Sequence, residues 1–592
     1  MPKRIGEVLK LFFCFLIFAL LLFKAEAALA FVPGETKIFN ISSGYDSAGR
    51  SQVAATLRQV GDKALFYVDD EWWYVNSPDA VNKFVSDLSV EFDKIIYPKL
   101  TQVYGSEWSP GIDNELRIAV LIFKMKDNVG GYFDSADEFP KSVLPLSNEN
   151  ELIYLNSSFL STPKMKIYLA HEFQHLITFY QKEKLRNAVD DIWLNEARSE
   201  YVSTLLGYDD SFAGSNLQKR TDEFSRNSSD SLTEWQNENG DYGSVNLFFQ
   251  YLISRYGQGL LTKITKNELV GISSIDQAMA ESGFDERFKN VFLNWVVASS
   301  YNDCLLGDGR KYCYFTPALS NFRVSPNLTN ILPSQSGFTF SFSDKIKDWS
   351  GHWYKISGSG TNLNLNLEFS GEVGANFQVP VVVENSDNEK SLRLLKIDEK
   401  GRAQETFSDF GSQIKDIVLM PFSQSKTSGF SANEPSHSFS YSVSLVDSSV
   451  PTPAPNPSPA VSILPIAPSS IIPAPSYQDG SLIRAKNDFK VYVIKRGFKR
   501  WLQSPEILTA YPHFLWQNVI EITSAEQNWY KDAWLVRAAG DYKVYEINGD
   551  GTAHWLNMSA SAFSQSGRDW GMVYEINKKE LGYYKKGADA MR

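Results

Sequence analysis

The stretch Ile167-Tyr-Leu-Ala-His171-Glu172-Phe-Gln-His175-Leu-Ile-Thr-Phe179 decides the fold of the region around it. It is an apolar run that carries the pattern H-E-x-x-H. On a helix, His171 and His175 share one face, one turn apart. Two imidazoles so placed can bind one Zn²⁺, and Glu172 lies beside them to activate a water molecule. The alternative is two ordinary histidines, but the chain has only 6 His in 592 residues, so chance rarely gives this pattern.

Local signals favour a helix in this stretch. Ser161 or Thr162 can cap its start, and Pro163 suits its first turn. No Gly or Pro interrupts the run up to Tyr180. We therefore expect one continuous helix that carries both histidines.

A second helix is expected to supply a third ligand. It begins near Asp190-Asp191, which can cap it, and it contains Asn195-Glu196-Ala-Arg-Ser-Glu200. Glu196 lies among apolar residues, and the residues 176 to 195 separate it from His175. A reversing loop and an antiparallel helix would bring Glu196 to the metal. The alternative is that Glu196 and Glu200 both lie on a solvated face, the usual position of Glu.

Together the two motifs resemble the gluzincin zinc peptidases, the group that includes thermolysin and the aminopeptidases. The sequence Ala-His-Glu-Phe-Gln-His, with Gly-Tyr-Phe before it, is similar to that of hyicolysin-type secreted peptidases. The resemblance covers roughly residues 50–300. It implies a zincin-like fold in which His171, His175 and Glu196 bind Zn²⁺. It also implies that Glu172 acts as the general base and then donates a proton to the leaving amine.

The resemblance implies two further roles. Glu200 would form a hydrogen bond to a ligand histidine from outside the metal's own ligand set. Arg198 departs from the small or apolar residue that usually lies between the two acids. It would either tilt the helix surface or form a local ion pair.

A donor to the developing oxyanion is also required. No His lies between residues 176 and 351, so the histidine that thermolysin-like enzymes use has no counterpart, and a tyrosine is expected instead. Tyr242 is the candidate because it precedes the amphipathic segment Val245–Tyr256, which ends at Gly257 and resembles the gluzincin segment where a tyrosine near a helix start points at the zinc. The alternative is that Tyr242 is an ordinary packing residue at the start of a helix.

Upstream of the zinc helix, up to about residue 160, we expect a sheet subdomain, and helices after it. We expect Leu152–Leu155 to lie at the sheet edge, where an extended peptide can add by backbone pairing. The predicted elements are strands at Ala54–Val60, Ala64–Val68, Leu116–Phe123 and Leu152–Leu155, a helix over Asp79–Tyr97 closed by Pro98, and a turn at Gly130–Phe133.

The N-terminal segment and the net charge limit the classes of function that are possible. Residues 1–30 are predicted to be a signal peptide, because Lys3 and Arg4 precede the apolar run Leu11–Phe23 and Ala28-Leu-Ala30 fits a cleavage site. An uncleaved anchor is the alternative. The net charge of −11 argues against a nucleic-acid partner. With no second membrane span expected after cleavage, the chain should be secreted or held at the cell surface. Cys304 and Cys313 then either form a short disulfide or stay as free thiols.

The expected organisation is multidomain. An α+β zincin-like metallopeptidase domain occupies residues 31–330, and a β-sandwich occupies residues 331–447. Residues 448–479 are a Pro/Ser-rich linker. Two β-rich repeat modules, 480–533 and 534–592, follow.

The two modules are recognised by sequence segments that occur in both of them. Leu482-Ile-Arg-Ala485 recurs as Leu535-Val-Arg-Ala538. Exposed aromatic side chains in them would suit contact with glycans or the cell envelope, and the alternative is that these aromatics form the module cores.

These observations predict a secreted zinc-dependent endopeptidase that acts on protein or peptide substrates. The alternative is a surface-binding or adhesion protein that carries an inactive peptidase-like domain.

Overall fold

The structure is a computed structural model. The residues that it describes are 31–307, 309–358, 360, 362–447, 477, 480–486, 490–495, 498–511, 514, 516–527, 530–538, 541, 543–548, 551–558, 563, 568 and 572–589. The chain forms two compact units, one of Met1–Ala278 with Glu286–Val450 and one of Met279–Asp285 with Pro451–Arg592. The predicted signal peptide lies outside the described residues, and so does the predicted linker except for residue 477.

A six-stranded sheet forms the first part of the first unit. Its order is β1-β2-β3-β4-β6-β5. Strands β3, β4 and β6 are parallel, and the other neighbours pair antiparallel. The strands are β1 (Thr36–Asn40), β2 (Gln52–Val60), β3 (Ala64–Asp69), β4 (Ile118–Phe123), β5 (Gly131–Phe133) and β6 (Leu152–Asn156). The four predicted strands thus all form, and the sheet is buried at its centre because β4 is apolar throughout.

The edge of the sheet differs from the prediction. Leu152–Leu155 is not an edge strand, because β6 lies between β4 and β5. Gly130–Phe133 is not a turn: Gly131, Tyr132 and Phe133 pair with Leu155, Tyr154 and Ile153 and form the edge themselves. Tyr132 explains the pairing, since its ring stacks on that of Tyr154 with centroids 4.2 Å apart.

The described helices between residues 70 and 301 begin beside the sheet and continue beyond it. They are α1 (Asp70–Tyr74), α2 (Pro78–Glu91), α3 (Tyr97–Tyr104), α4 (Lys164–Thr178), α5 (Ile192–Leu205), α6 (Asn216–Arg226), α7 (Asn239–Tyr256), α8 (Gly259–Lys266), α9 (Gly271–Glu281) and α10 (Phe288–Tyr301). Short π-helical turns, Phe92–Ile96 and Phe179–Lys184, extend α2 and α4. In the helical region Cys304 and Cys313 form a disulfide.

Pro98 does not end the helix that begins at Pro78. The π turn gives a hydrogen bond from the Tyr97 N–H to the Phe92 carbonyl, five residues back, and α3 then starts with Pro98 in its first turn. A proline is tolerated at a first turn because its missing N–H is not needed there. The wider π turn therefore carries the helical path past the proline.

Nine strands form a two-layered β-structure in the same unit. One layer has the order β12-β11-β14-β9-β7 and the other has β13-β10-β15-β8, and the single pair Phe410 and Ile414 joins them. The rings of Tyr354 and Tyr441, one from each layer, have centroids 5.5 Å apart. The strands are β7 (Leu328–Ile331), β8 (Thr339–Lys347), β9 (Tyr354–Ser357), β10 (Leu363–Gly371), β11 (Pro380–Asn385), β12 (Lys390–Leu394), β13 (Arg402–Phe410), β14 (Ile414–Leu419) and β15 (Ser436–Asp447).

The β-layers and the helices share a core. Trp349, which follows β8, packs its ring 4.8 Å from that of Phe288 and 5.3 Å from that of Phe292 on α10. Phe422 lies 5.2 Å from Phe292. This aromatic contact places the predicted peptidase domain and the predicted sandwich in one compact unit rather than two.

The second unit contains the two repeats, and they have the same strand topology. The sheet orders are β19-β16-β17-β18-β20 and β24-β21-β22-β23-β25. In each, the first strand pairs in parallel with the fourth. The strands are β16 (Leu482–Ala485), β17 (Val491–Lys495), β18 (Phe498–Leu502), β19 (Val519–Ile522), β20 (Lys531–Asp532), β21 (Leu535–Ala538), β22 (Val544–Ile547), β23 (Thr552–Trp555), β24 (Val573–Ile576) and β25 (Lys585–Lys586). The helices are α11 (Pro505–Thr509), α12 (Ser524–Gln527) and α13 (Lys578–Leu581).

The repeats are packed together rather than separate. Tyr574 of the second repeat donates its hydroxyl to the carbonyls of Val493 and Phe498 in the first, each at 2.9 Å. Arg500 of the first repeat forms a buried ion pair with Glu580 of the second. Within the described residues, no helix is long and apolar enough to cross a membrane.

Substitution of Leu121 tests whether the core of the first sheet is packed as described. Its side chain on β4 is 0 % exposed. We expect Leu121→Ala to lower the free energy of unfolding of the first unit by about 2–5 kcal/mol, because it leaves a cavity in a close-packed core. Leu116→Ala is the matched control, since Leu116 is 68 % exposed and should change stability by less than about 0.5 kcal/mol. Urea unfolding followed by circular dichroism measures both, and equal effects would contradict the assigned core.

Candidate metal centre

Helix α4 carries both histidines, as its apolar run predicts. Pro163 is its N-cap, and no side chain caps it, so the predicted capping by Ser161 or Thr162 is wrong. Thr162 instead donates its hydroxyl to the Phe159 carbonyl at 2.8 Å. The Thr162 hydroxyl is therefore bonded to the short 3₁₀ turn that precedes the helix, and it does not cap the helix. Pro163 has no N–H group that would need a hydrogen-bond partner.

Helix α5 brings Glu196 to the two histidines. The Nε2 atoms of His171 and His175 are 3.1 Å apart. Glu196 Oε2 lies 3.3 Å from His171 Nε2, and Glu196 Oε1 lies 3.6 Å from His175 Nε2. Among the described residues, these three form the one group of His, Cys, Asp and Glu whose ligand atoms lie close enough together to hold a metal ion.

The donor set fits Zn²⁺. Two imidazole nitrogens and one carboxylate form the ligand set of a catalytic zinc site, which leaves a fourth position open. Glu196 Oε2 is buried and accepts no hydrogen bond, so it lacks the partner that a buried carboxylate oxygen requires. A cation between the three side chains would supply it.

The two neighbouring histidines favour the ionised form of Glu196. Burial alone would raise its pKa, but the neighbouring His175 and His171 hold the pKa of Glu196 well below its ordinary value. An ionised carboxylate is the form that binds a metal.

Glu200 contacts the outer nitrogen of His171. Its Oε1 lies 3.6 Å from His171 Nδ1. Arg220 of α6 holds the Glu200 carboxylate with two short hydrogen bonds, Nε to Oε2 at 2.7 Å and Nη2 to Oε1 at 2.6 Å. Asn216 donates a third, at 3.0 Å. At 3.6 Å the Glu200 carboxylate is near His171 Nδ1 but beyond hydrogen-bond distance, so its role as the hydrogen-bond partner of that histidine stays a prediction.

His175 has a different partner, which the sequence did not indicate. Ser199 Oγ lies 3.2 Å from His175 Nδ1 and donates its hydrogen to Gln174 Oε1 at 2.5 Å. The amide of Gln174 is itself fixed, because its Nε2 donates to Thr178. With its one hydrogen used, the serine hydroxyl accepts from His175 Nδ1–H, which leaves the Nε2 lone pair facing Glu196. Ser199 lies three positions after Glu196 along α5, and that helical spacing is the one sequence signal that could have suggested it.

Glu172 lies beside the cluster under the edge strand. Its side chain is 6 % exposed. Burial raises the pKa of Glu172 to about 8, with His175 opposing the shift and the Glu196 and Glu200 carboxylates adding to it. A Cβ placed on Gly131 of β5 would lie 3.1 Å from Glu172 Cγ, so the edge strand passes directly over the glutamate.

Arg198 forms the ion pair that was one of its two expected roles. Its Nη1 donates to Asp190 Oδ2 at 2.7 Å, and the two side chains are 0 % and 2 % exposed. Asp190 also accepts from the Gly271 N–H at 2.8 Å. Asp190 therefore anchors the start of α5 through Arg198, and neither it nor Asp191 caps the helix with its side chain.

Tyr242 lies in the first turn of α7, but its hydroxyl is engaged elsewhere. It donates to Asn237 Oδ1 at 2.8 Å. The Arg220 guanidinium lies 4.5 Å from the Tyr242 ring centroid, and the Trp235 ring lies 4.9 Å from it. Burial raises the pKa of Tyr242, and the negative charge of Glu196 adds to this shift. Tyr242 therefore lies close enough to the His171–His175–Glu196 cluster to interact electrostatically with it. Its role as an oxyanion donor remains a prediction.

Comparison of the sequence with protein families and with curated proteins gives no match. Three similar solved structures each cover a small part of the chain. PliG from Aeromonas hydrophila, a periplasmic inhibitor of g-type lysozyme, is 10 % identical, covers 20 % of this chain and 99 % of its own, and has a TM-score of 0.15. The pre-peptidase C-terminal domain of a Bacillus anthracis collagenase is 12 % identical, covers 20 % and 97 %, and has a TM-score of 0.15. The Yersinia pseudotuberculosis-derived mitogen is 10 % identical, covers 19 % and 91 %, and has a TM-score of 0.15. Scores this low support no argument about function.

Ser199 provides a test of the cluster as a metal centre. We expect Ser199→Ala to weaken zinc affinity about 10- to 100-fold, because His175 loses the partner that orients it. Competition with a chromophoric zinc chelator measures the affinity. Ser203→Ala is the matched control: Ser203 lies one turn further along α5, is equally buried, and bonds to Asp209 instead. A loss of affinity in the control alone, or in neither variant, would contradict this role of Ser199.

Proposed function

We propose that this chain is an exported zinc-dependent endopeptidase. The observation that carries the proposal is the unpartnered, buried Glu196 Oε2 beside the facing Nε2 atoms of His171 and His175. Two further observations support it. His175 Nδ1 has Ser199 as a hydrogen-bond partner, and Glu200 Oε1 lies 3.6 Å from His171 Nδ1. Glu172 lies next to the cluster.

His171, His175 and Glu196 would hold the metal ion. When bound there, zinc would polarise the carbonyl of the scissile bond and lower the pKa of a water molecule. Ser199 and Glu200 keep the two imidazole rings oriented with Nε2 toward the cluster.

Glu172 moves the proton in this proposal. Its carboxylate accepts a proton from the attacking water and then donates it to the leaving amine. Its burial suits both steps, because a carboxyl group shielded from water holds a proton more readily than an exposed one. Tyr242 would stabilise the oxyanion if its hydroxyl turned away from Asn237.

The free edge of β5 would bind the substrate. β5 pairs on one side with β6 and ends the described sheet on the other. An extended peptide can add to such an edge by backbone hydrogen bonds. Gly131 allows β5 to lie close to β6, because a Cβ there would come within 2.7 Å of the Tyr154 carbonyl oxygen. The peptide would then lie beside Glu172 and the cluster.

Export is the remaining part of the proposal. It rests on the apolar N-terminal segment and on the Cys304–Cys313 disulfide, which is typical of oxidising compartments. The C-terminal repeats would contact glycans or the cell envelope after export. Among the described residues of the repeats, Trp516 is 60 % exposed and Tyr583 is 41 % exposed, so both aromatic side chains are available for such a contact.

Glu172→Gln tests the catalytic step. We expect the variant to keep one zinc per chain and to lose casein hydrolysis by at least about 10²-fold, because the amide cannot accept the proton. Zinc is measured by elemental analysis, and hydrolysis by release of fluorescent peptides from labelled casein.

Glu71→Gln is the control for this variant, since the Glu71 side chain is 81 % exposed and pairs only with Arg50 at the surface. It should leave hydrolysis unchanged. Full activity in Glu172→Gln would exclude the mechanism. Zinc binding without hydrolysis of any peptide by the unaltered protein would favour the inactive, surface-binding alternative.

A further inference from the structure

A cavity of about 290 Å³ opens between the start of α4 and helix α6. Tyr168 lines it from α4, three positions before His171, and Asn216 lines it from α6. Asn216 also donates to Glu200, the carboxylate near His171 Nδ1. Positions three apart on a helix are neighbours, so the cavity lies beside the candidate metal centre.

The edge strand β5 begins at this cavity. A Cβ placed on Gly130, directly before β5, would lie 2.6 Å from the ring of Tyr168. A Cβ on the next residue, Gly131, would lie 3.1 Å from Glu172 Cγ. The backbone of these two glycines therefore runs from the wall of the cavity to Glu172. A peptide paired with the free edge of β5 would place a side chain at the cavity, close to the bond that is cut.

Three cationic side chains line the cavity, those of Lys164, Lys219 and Arg226. Within the described part of the chain, neither Lys164 nor Arg226 forms an ion pair. Partial burial lowers the pKa of Lys219, and the positive charges of Arg220 and Lys164 add to this shift. The two lysines therefore repel each other, and an anion between them would relieve the repulsion.

Two acidic side chains also line the cavity, but they do not neutralise it. The Glu223 carboxylate accepts a hydrogen bond from Arg220 at 2.8 Å, and its other oxygen lies 3.8 Å from Lys219 Nζ. Asp222 forms no ion pair among the described residues. With Arg220 and its second partner Glu200 included, four cations face three carboxylates, so the cavity keeps a positive charge.

We propose that the cavity between α4 and α6 binds an acidic substrate side chain, and that Lys164 and Lys219 make the protein select peptides with Glu or Asp near the bond that is cut. A carboxylate suits the cavity because it only accepts hydrogen bonds. The two ammonium groups would donate to it, and so would the Tyr168 hydroxyl, which has no hydrogen-bond partner among the described residues.

The same charges would act against a basic substrate side chain. A lysine or arginine in the cavity would face like charges, which costs binding free energy and gives discrimination. The selection of acidic peptides rests on the proposed peptidase function. The binding of such peptides can, however, be measured without cleavage.

Cleavage by the full-length, zinc-loaded protein is the first measurement. Quenched fluorescent peptide pools carry Glu, Gln or Lys at one fixed position, which is moved along the peptide, and random residues elsewhere. At the position that enters the cavity, we expect kcat/KM for the Glu pool to exceed that for the Gln pool at least about tenfold, with the Lys pool cleaved most slowly. The preference should fall at high salt, because partly exposed charges are screened.

Lys164→Glu is the diagnostic variant. It reverses one charge at the cavity, so the preference for Glu over Gln should vanish or reverse, whereas Lys164→Arg should keep it. An acidic residue in the first turn of a helix is favourable, so α4 should still form. Lys289→Glu is the matched control, because Lys289 is exposed on α10, does not line the cavity and gives the same change in net charge. It should keep the full preference.

Binding separates this inference from the proposed function. The zinc-loaded Glu172→Gln protein, with and without Lys164→Glu or Lys289→Glu, is titrated into fluorophore-labelled pools, and anisotropy is followed. Tighter binding of the Glu pool that Lys164→Glu removes would support the cavity even if the unaltered protein cleaves no peptide, and the peptidase proposal alone would then fail. No difference between the Glu and Gln pools, a preference that survives Lys164→Glu, or an equal loss in Lys289→Glu would overturn the inference.

Discussion

The arrangement of the candidate site depends on one electrostatic constraint: a buried carboxylate oxygen without a hydrogen bond needs a positive charge beside it. Glu196 Oε2 is that oxygen, and it lies 3.3 Å from His171 Nε2. Ser199 forms a hydrogen bond with Nδ1 of His175, which leaves the Nε2 lone pair of His175 facing Glu196. Three electron-rich atoms are thus held together by the fold, which costs free energy unless a cation joins them.

The surrounding structure serves to hold these atoms. Helix α5 is anchored at its start by the buried pair of Arg198 and Asp190, and Glu200 one turn beyond Glu196 is held by Arg220. The carboxylate of Glu200 is therefore fully paired, in contrast to that of Glu196. This difference distinguishes a carboxylate that is held by its neighbours from one with a buried oxygen that accepts no hydrogen bond.

Spacing along helices made the cluster predictable from the sequence, because His171, His175 and Glu196 follow from two motifs and the loop between them. The edge strand was missed because Gly131–Phe133 has three residues, too few to show alternation. Ser199 was missed for another reason. Its spacing from Glu196 places it on the same face of α5, but its contact with His175 joins two helices that only the folded chain brings together.

Zinc K-edge X-ray absorption on the purified full-length protein tests whether His171, His175 and Glu196 bind zinc. We expect about one zinc per chain with two imidazole nitrogens at about 2.0–2.1 Å and oxygen ligands at about 2.0–2.2 Å. Absence of stoichiometric zinc, or a zinc shell without imidazole nitrogen, would contradict this expectation.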